Sequence, residues 1–124
     1  MDDFVRTVAR FVFAIPMLVF GFFHFTNISG MAFVVPGWLP LPGEFWVVLT
    51  GAAFILAGIS IIIRVLDYWA SFLLGLMLLI FALTVHLPGI FNDVDGAMTN
   101  FLKDIVIAGG AWFYTAYAAK KPAE

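Results

Sequence analysis

Residues 44–63 read EFWVVLTGAAFILAGISIII, and Arg64 follows directly. Between Glu44 and Arg64 lie 19 consecutive positions without a charge. An α-helix rises 1.5 Å per residue, so about 20 apolar residues are what crossing ~30 Å of hydrocarbon requires. A surface helix of a soluble domain of that length would carry a polar face. This stretch is therefore read as a membrane span, and the rest of the chain is measured against it.

Three more segments fit the same ruler. Residues 4–25 begin with Arg6 and Arg10, one turn apart, and then run uncharged. Residues 68–87 end before Pro88-Gly89, and residues 100–118 open at Thr99-Asn100, both good N-caps, and end ahead of Lys120-Lys121. The expectation is an all-α integral membrane four-helix bundle, with residues 1–124 as one transmembrane domain. Composition agrees: 64% of the 124 residues are hydrophobic and 11% charged, with a mean hydropathy of +1.08. A soluble domain is roughly a quarter charged, and a small globule has too much surface to hide so much Leu, Ile, Val and Phe. A soluble enzyme is excluded. So is a nucleic-acid binder, because six basic residues are spread along a chain of net charge −2. The absence of cysteine excludes disulfides, thiol catalysis and iron–sulfur ligation by this chain.

Basic residues set the expected orientation. With the N-terminus inside, Arg6, Arg10, Arg64, Lys120 and Lys121 face the cytoplasm and only Lys103 lies outside. The first apolar run exceeds a signal-peptide core and no A-x-A site follows Phe25, so it is expected to remain as a helix. Residues 64–67 form a tight inner turn. The first outer loop, residues 27–43, is long, apolar and broken by Pro36, Pro40 and Pro42. It either lies at the outer interface, with Trp38 as anchor, or folds back as a lid. The second outer loop, residues 88–98, carries Asp93 and Asp95 and reads as solvated. Gly51 and Gly58 in the second span, and Asp104, Ala108, Ala111 and Thr115 in the fourth, make small-residue faces suited to helix contact. Pro16 is expected to kink the first span.

Ionisable groups in or beside spans suggest function. His24, Glu44, His86, Lys103 and Asp104 occur at the ends of all four spans, at one depth and on one side. Each also has a plain explanation. Glu44 and Asp104 sit at helix N-termini, where the dipole favours a carboxylate by ~0.3–1 kcal/mol. Lys103 can snorkel to the headgroups, and either histidine can be an interfacial hydrogen-bonding residue. Their coincidence is what suggests a shared polar site at the outer end of the bundle.

Gly21-Phe22-Phe23-His24-Phe25, closing the first span, resembles the G-x-x-H/K signature of the DoxX family of small four-helix membrane proteins. The similarity continues through Val35-Pro36-Gly37-Trp38-Leu39-Pro40, Thr50-Gly51 with Gly58, His86-Leu87-Pro88 and Leu102-Lys103-Asp104, nearly the whole chain. The resemblance implies a multi-pass protein of the bacterial inner (plasma) membrane. Some relatives are subunits of a thiosulfate:quinone oxidoreductase, and others associate with membrane redox complexes that protect against oxidative damage. It implies no catalytic residue, and the lack of cysteine sets this chain apart from thiosulfate chemistry through a thiol.

The expected function is a quinone-linked redox accessory subunit. His24 or His86 would donate to a quinone carbonyl, and Asp104 or Glu44 would relay protons, with Lys103 at the edge. Its partners would be the lipid bilayer and a membrane or periplasmic redox protein, or a second copy of the chain. The alternative is a non-enzymatic lipid-binding or partner-stabilising protein. A third reading ligates haem between His24 and His86. Topology has a direct test: cysteines introduced at Ser29 and Asp95 label from outside with an impermeant reagent, and one at Ala123 does not. Labelling at Ala123 alone would invert the orientation.

Overall fold

A computed structural model describes residues 1–120, and it is helical with no strand among them. The helices are α1 (Asp2–Thr26), α2 (Ile28–Ala32), α3 (Gly43–Ile63), α4 (Asp67–Phe81), α5 (Leu87–Phe91) and α6 (Ala97–Lys120). A π-helical turn over Ala82–His86 joins α4 to α5 without a break. Lys121 and Ala123, used above for orientation, lie outside the described residues. The chain divides into two compact units, Met1–Ala70 and Ser71–Glu124.

Three stretches, Asp2–Thr26, Gly43–Ile63 and Asp67–Phe91, are long and apolar enough to cross a membrane. They correspond to the first three expected spans. The fourth expected span, now α6, is not among them. Its 24 residues are sufficient in length, but Asn100, Lys103, Asp104, Tyr114, Tyr117 and the Gly109-Gly110 pair dilute its apolar content. The third stretch also runs further than expected, to Phe91 rather than Leu87.

In the first unit, α1 and α3 pack where side chains are smallest. A Cβ added at Gly21 would lie 2.5 Å from Ile55 Cγ1 and 2.8 Å from the Gly51 carbonyl oxygen. One at Gly51 would lie 2.8 Å from His24 Cβ, and one at Gly58 3.1 Å from the Ala14 carbonyl oxygen. Gly21 meeting Gly51 while Ala14 meets Gly58 makes the two helices antiparallel. The buried positions of α3 (Val47, Thr50, Gly51, Phe54, Ala57, Gly58 and Ile61) recur at helical spacing and form the facing stripe. Phe54 carries the aromatic part of this contact, edge-on to Phe20 at 5.9 Å between ring centroids.

The end of α3 is closed by backbone geometry. Arg64 takes the left-handed conformation, φ 61°, and the Val65 N–H reaches the Ser60 carbonyl at 3.2 Å. This is the Schellman pattern that usually employs glycine at the left-handed position.

In the second unit α6 packs along residues 71–86. Asp104, Ala108, Ala111, Thr115 and Ala118 are all buried, so the expected small-residue stripe is the contact face. Val106 and Phe113, on the other side, are 72% and 82% exposed. Thr115 Oγ1 donates to the Ala111 carbonyl at 3.0 Å. With that proton committed, Ser71 Oγ must donate to Thr115 Oγ1, at 2.7 Å. One turn along, Trp112 Nε1 donates to the Phe72 carbonyl at 3.1 Å, and its ring stacks on Phe72. Gly75 makes room for it: a Cβ there would lie 2.5 Å from Trp112 Nε1.

The glycine contacts predict a contrast. Gly21→Ala forces α1 from α3 against a backbone oxygen and should destabilise by about 1–3 kcal/mol, the usual range for overpacking. Gly109→Ala, where an added Cβ meets nothing within 4 Å, should be neutral or stabilising, since Ala is the better helix former. Thermal unfolding in detergent reads both. Equal melting temperatures for the two variants would contradict the packing.

Candidate functional site

Pro88 decides the local backbone around His86. Proline has no N–H and its ring collides with the carbonyl four residues earlier in a regular α-helix, here that of Thr84. The turn before it widens instead: the Leu87 N–H bonds to the Ala82 carbonyl, five residues back. The helix thus passes through Pro88 rather than stopping at it, which is why the third span overran its expected end. Such π turns recur at functional positions. His86 is the last residue of this one.

The chain then reverses within residues 92–96, using positive φ at Asp93 (56°) and Gly96 (78°). The Val94 N–H bonds to the Gly89 carbonyl at 2.8 Å and the Ala97 N–H to Val94 at 3.1 Å. A Cβ on Gly89 would lie 3.2 Å from Ala97 Cβ, so α5 and the start of α6 are nearly in backbone contact. This reversal brings His86 beside the second turn of α6. Asp93 and Asp95 are exposed, as expected for a solvated connection, though it is shorter than the expected loop over residues 88–98.

The result is a three-residue polar cluster. His86 Nε2 lies 3.1 Å from Asp104 Oδ2, with the Asp104 side chain 5% exposed and that of His86 18%. Lys103 Nζ lies 4.0 Å from the other oxygen, Oδ1, and is 43% exposed. An ionised carboxylate only accepts hydrogen bonds, so His86 Nε2 carries the proton in that state. Both carboxylate oxygens then face a donor or a positive charge. Asp104 points inward and Lys103 lies at the edge, as their ~100° separation on the helix requires. The cluster can hold and orient a proton between the imidazole and the carboxylate.

The two remaining expected residues belong to the first unit. His24 Nδ1 lies 2.6 Å from the Phe20 carbonyl, one turn back on its own helix. A carbonyl can only accept, so Nδ1 carries the proton. The ring packs on Phe54 at 5.3 Å, placing His24 in the α1–α3 contact. Glu44 is exposed in the first turn of α3, where the helix dipole favours a carboxylate. For the haem reading, one of the two His86 nitrogens able to bind iron, Nε2, is engaged by Asp104. No group of three or more metal-ligating side chains occurs among the described residues.

Ser71, Gly75 and Trp112 were not singled out in the sequence, although Ser71 and Gly75 form a small-xxx-small pair that signals close helix contact. The π turn had a signal too, a proline inside an otherwise unbroken apolar run. Relative magnitudes predict which contacts matter most. Interhelical hydrogen bonds between neutral groups in membranes average about 0.6 kcal/mol, so Ser71→Ala should lower stability by roughly that amount. Removing one partner of a buried charge leaves it unsatisfied, so His86→Ala should cost about 2–3 kcal/mol. Unfolding in mixed micelles measures both, and a His86→Ala variant no weaker than Ser71→Ala would mean that the pair is not formed. Compared with known proteins, the chain matches no family model, no curated protein and no solved structure.

Proposed function

We propose that this chain is a DoxX-like membrane protein that serves as a quinone-linked redox accessory subunit. In this reading α6 crosses the bilayer as a fourth span, in the plasma membrane of a bacterium, with both termini cytoplasmic. The observation that supports it is the His86–Asp104–Lys103 cluster, a buried carboxylate paired with an imidazole from the apolar third span and flanked by a lysine. Polar residues are kept in such surroundings chiefly for function.

The donor set fits a quinone headgroup. A quinone supplies two-electron, two-proton chemistry in the plane of the membrane. Its carbonyl oxygens accept hydrogen bonds, which Lys103 is able to donate, as is His86 through Nδ1 once its ring is protonated on both nitrogens. Asp104 holds the imidazole in one tautomer and balances its charge when the ring is protonated. Lys103, partly exposed, supplies a positive charge at the rim and a route for protons from water. The electrons come from a partner protein, since His86, Asp104 and Lys103 carry no two-electron couple and the chain has no cysteine. The site of this proposal is the three residues of the second unit. His24 and Glu44 keep the roles of packing and helix-end charge described above.

Mass spectrometry of small molecules extracted from the purified protein tests the reading. A quinone should copurify with the parent chain and be depleted at least tenfold in Asp104→Asn and His86→Gln, the loss of ~1.4 kcal/mol of binding. Asp93→Ala, in the exposed turn, should retain it. Phospholipid copurifying alone, equally with all four proteins, would instead establish the lipid-binding alternative.

A further inference from the structure

Residues 33–41, FVVPGWLPL, connect the short helix α2 to α3 and carry no charge. They also have little cover from the rest of the chain. Phe33 is 90% exposed, Trp38 72% and Leu41 60%, and Val34 is exposed as well. A lid closed over the helices would have buried these side chains. Water is an equally poor environment for them, since large apolar groups rarely stand together on a solvated surface.

The position of the loop says what covers it. α1 and α3 both have the length and apolarity to cross a membrane, and they run antiparallel, so Thr26 and Gly43 lie at the same end of the pair. The polar finish of α1 marks that end. Asn27 Nδ2 and Thr26 Oγ1 donate to the Phe23 carbonyl at 3.0 and 3.2 Å, closing the helix at the level where water becomes available. Glu44 stands exposed at the matching turn of α3. The loop is therefore tethered on both sides to the headgroup layer at the end opposite Arg6 and Arg10.

Its backbone suits the boundary of that layer. Pro36, Pro40 and Pro42 have no N–H to satisfy. The Val34, Val35 and Leu39 N–H groups bond to the Met31, Ala32 and Pro36 carbonyls, each at 3.2 Å. Trp46 Nε1 donates to the Pro40 carbonyl at 2.7 Å, fastening the loop to α3. Irregular backbone exposed to lipid is not tolerated in the hydrocarbon core. At the interface, where the remaining carbonyls can meet water or headgroups, it is. Tryptophan is enriched at that depth because its ring is apolar and its N–H is not.

We propose that residues 33–41 are a lipid-binding loop, seated in the phospholipid leaflet at the headgroup–acyl boundary, with Phe33, Val34, Trp38 and Leu41 as the inserted side chains. The loop holds α1 and α3 at a fixed depth and does so whatever ligand the His86 cluster takes.

The chain contains no cysteine, so single nitroxide labels can be placed cleanly. Phe33→Cys and Trp38→Cys each replace an exposed side chain. With Phe22→Cys on α1 as the apolar reference and Asp95→Cys as the wet one, the four labelled proteins go into phosphatidylethanolamine–phosphatidylglycerol vesicles. Collision rates with oxygen, which partitions into lipid, and with a water-soluble nickel chelate are then compared. Labels at positions 33 and 38 should show oxygen-to-nickel ratios several-fold above that of the Asp95 label and at or below that of the Phe22 label. A ratio equal to that at position 95 would place the loop in water and overturn the proposal. Low collision rates with both reagents would mean that protein covers the loop, as a lid or an interface with another copy, and would overturn it equally.

Discussion

Apolar surface gains almost nothing by leaving lipid for another apolar surface, so helices in a bilayer must be joined by contacts that lipid cannot match. In each unit of this chain that contact is backbone approaching backbone. Gly21 and Gly51 allow it between α1 and α3, and Gly75 with Ala108 allows it between α4 and α6. The remaining features depend on this closeness. Phe54 reaches both Phe20 and the His24 ring. Ser71 meets Thr115, and the Trp112 indole finds a carbonyl on another helix.

The same closeness explains how Asp104 is accommodated. A helix dipole stabilises an exposed first-turn carboxylate by only ~0.3–1 kcal/mol, while burying an unpaired one costs several times as much. Glu44 is exposed, so the dipole suffices for it. Asp104 is buried and needs more, and His86 and Lys103 supply it from two directions. Glu44 stands in the first turn of α3, whereas α6 begins at Ala97, ahead of the expected Thr99-Asn100 start, and so puts Asp104 a turn further in than expected, beyond the strongest part of the dipole. The second has chemistry to offer, the first only charge.

How much of this was legible in the sequence follows from what kind of information each residue carries. Charge-free runs bounded by Arg10, Glu44, Arg64 and Pro88-Gly89 state their length directly, and three spans were readable from them. The stripe from Asp104 to Thr115 was readable because α6 is a regular helix, so spacing gives the face. The place of His24 in the last turn of its helix was readable, but not the direction of its ring, which turns to its own backbone and to Phe54. Position 86 was read as nearly the end of a helix because proline normally stops one. Whether a helix halts or widens depends on carbonyl geometry, which the pattern of apolar residues does not encode. For residues 33–41 the sequence left both a lid and an interfacial segment open, because neither charge nor spacing says whether Phe33 and Trp38 are covered; both are exposed.

The π turn at Ala82–His86 has one more residue than the α-turn it replaces. Each residue of an α-helix turns the chain by about 100°, so everything beyond the widened turn is rephased by that angle relative to α4. The approach of Gly89 to Ala97 and the meeting of His86 with Asp104 both lie on the rephased side or at its border. The polar cluster and the helical scaffold are therefore specified separately. An insertion or deletion of a single residue in this turn changes which side chain faces Asp104 while leaving the helices on either side intact. In descent with modification, this site is open to gain or loss through a change in length as well as through substitution of its residues.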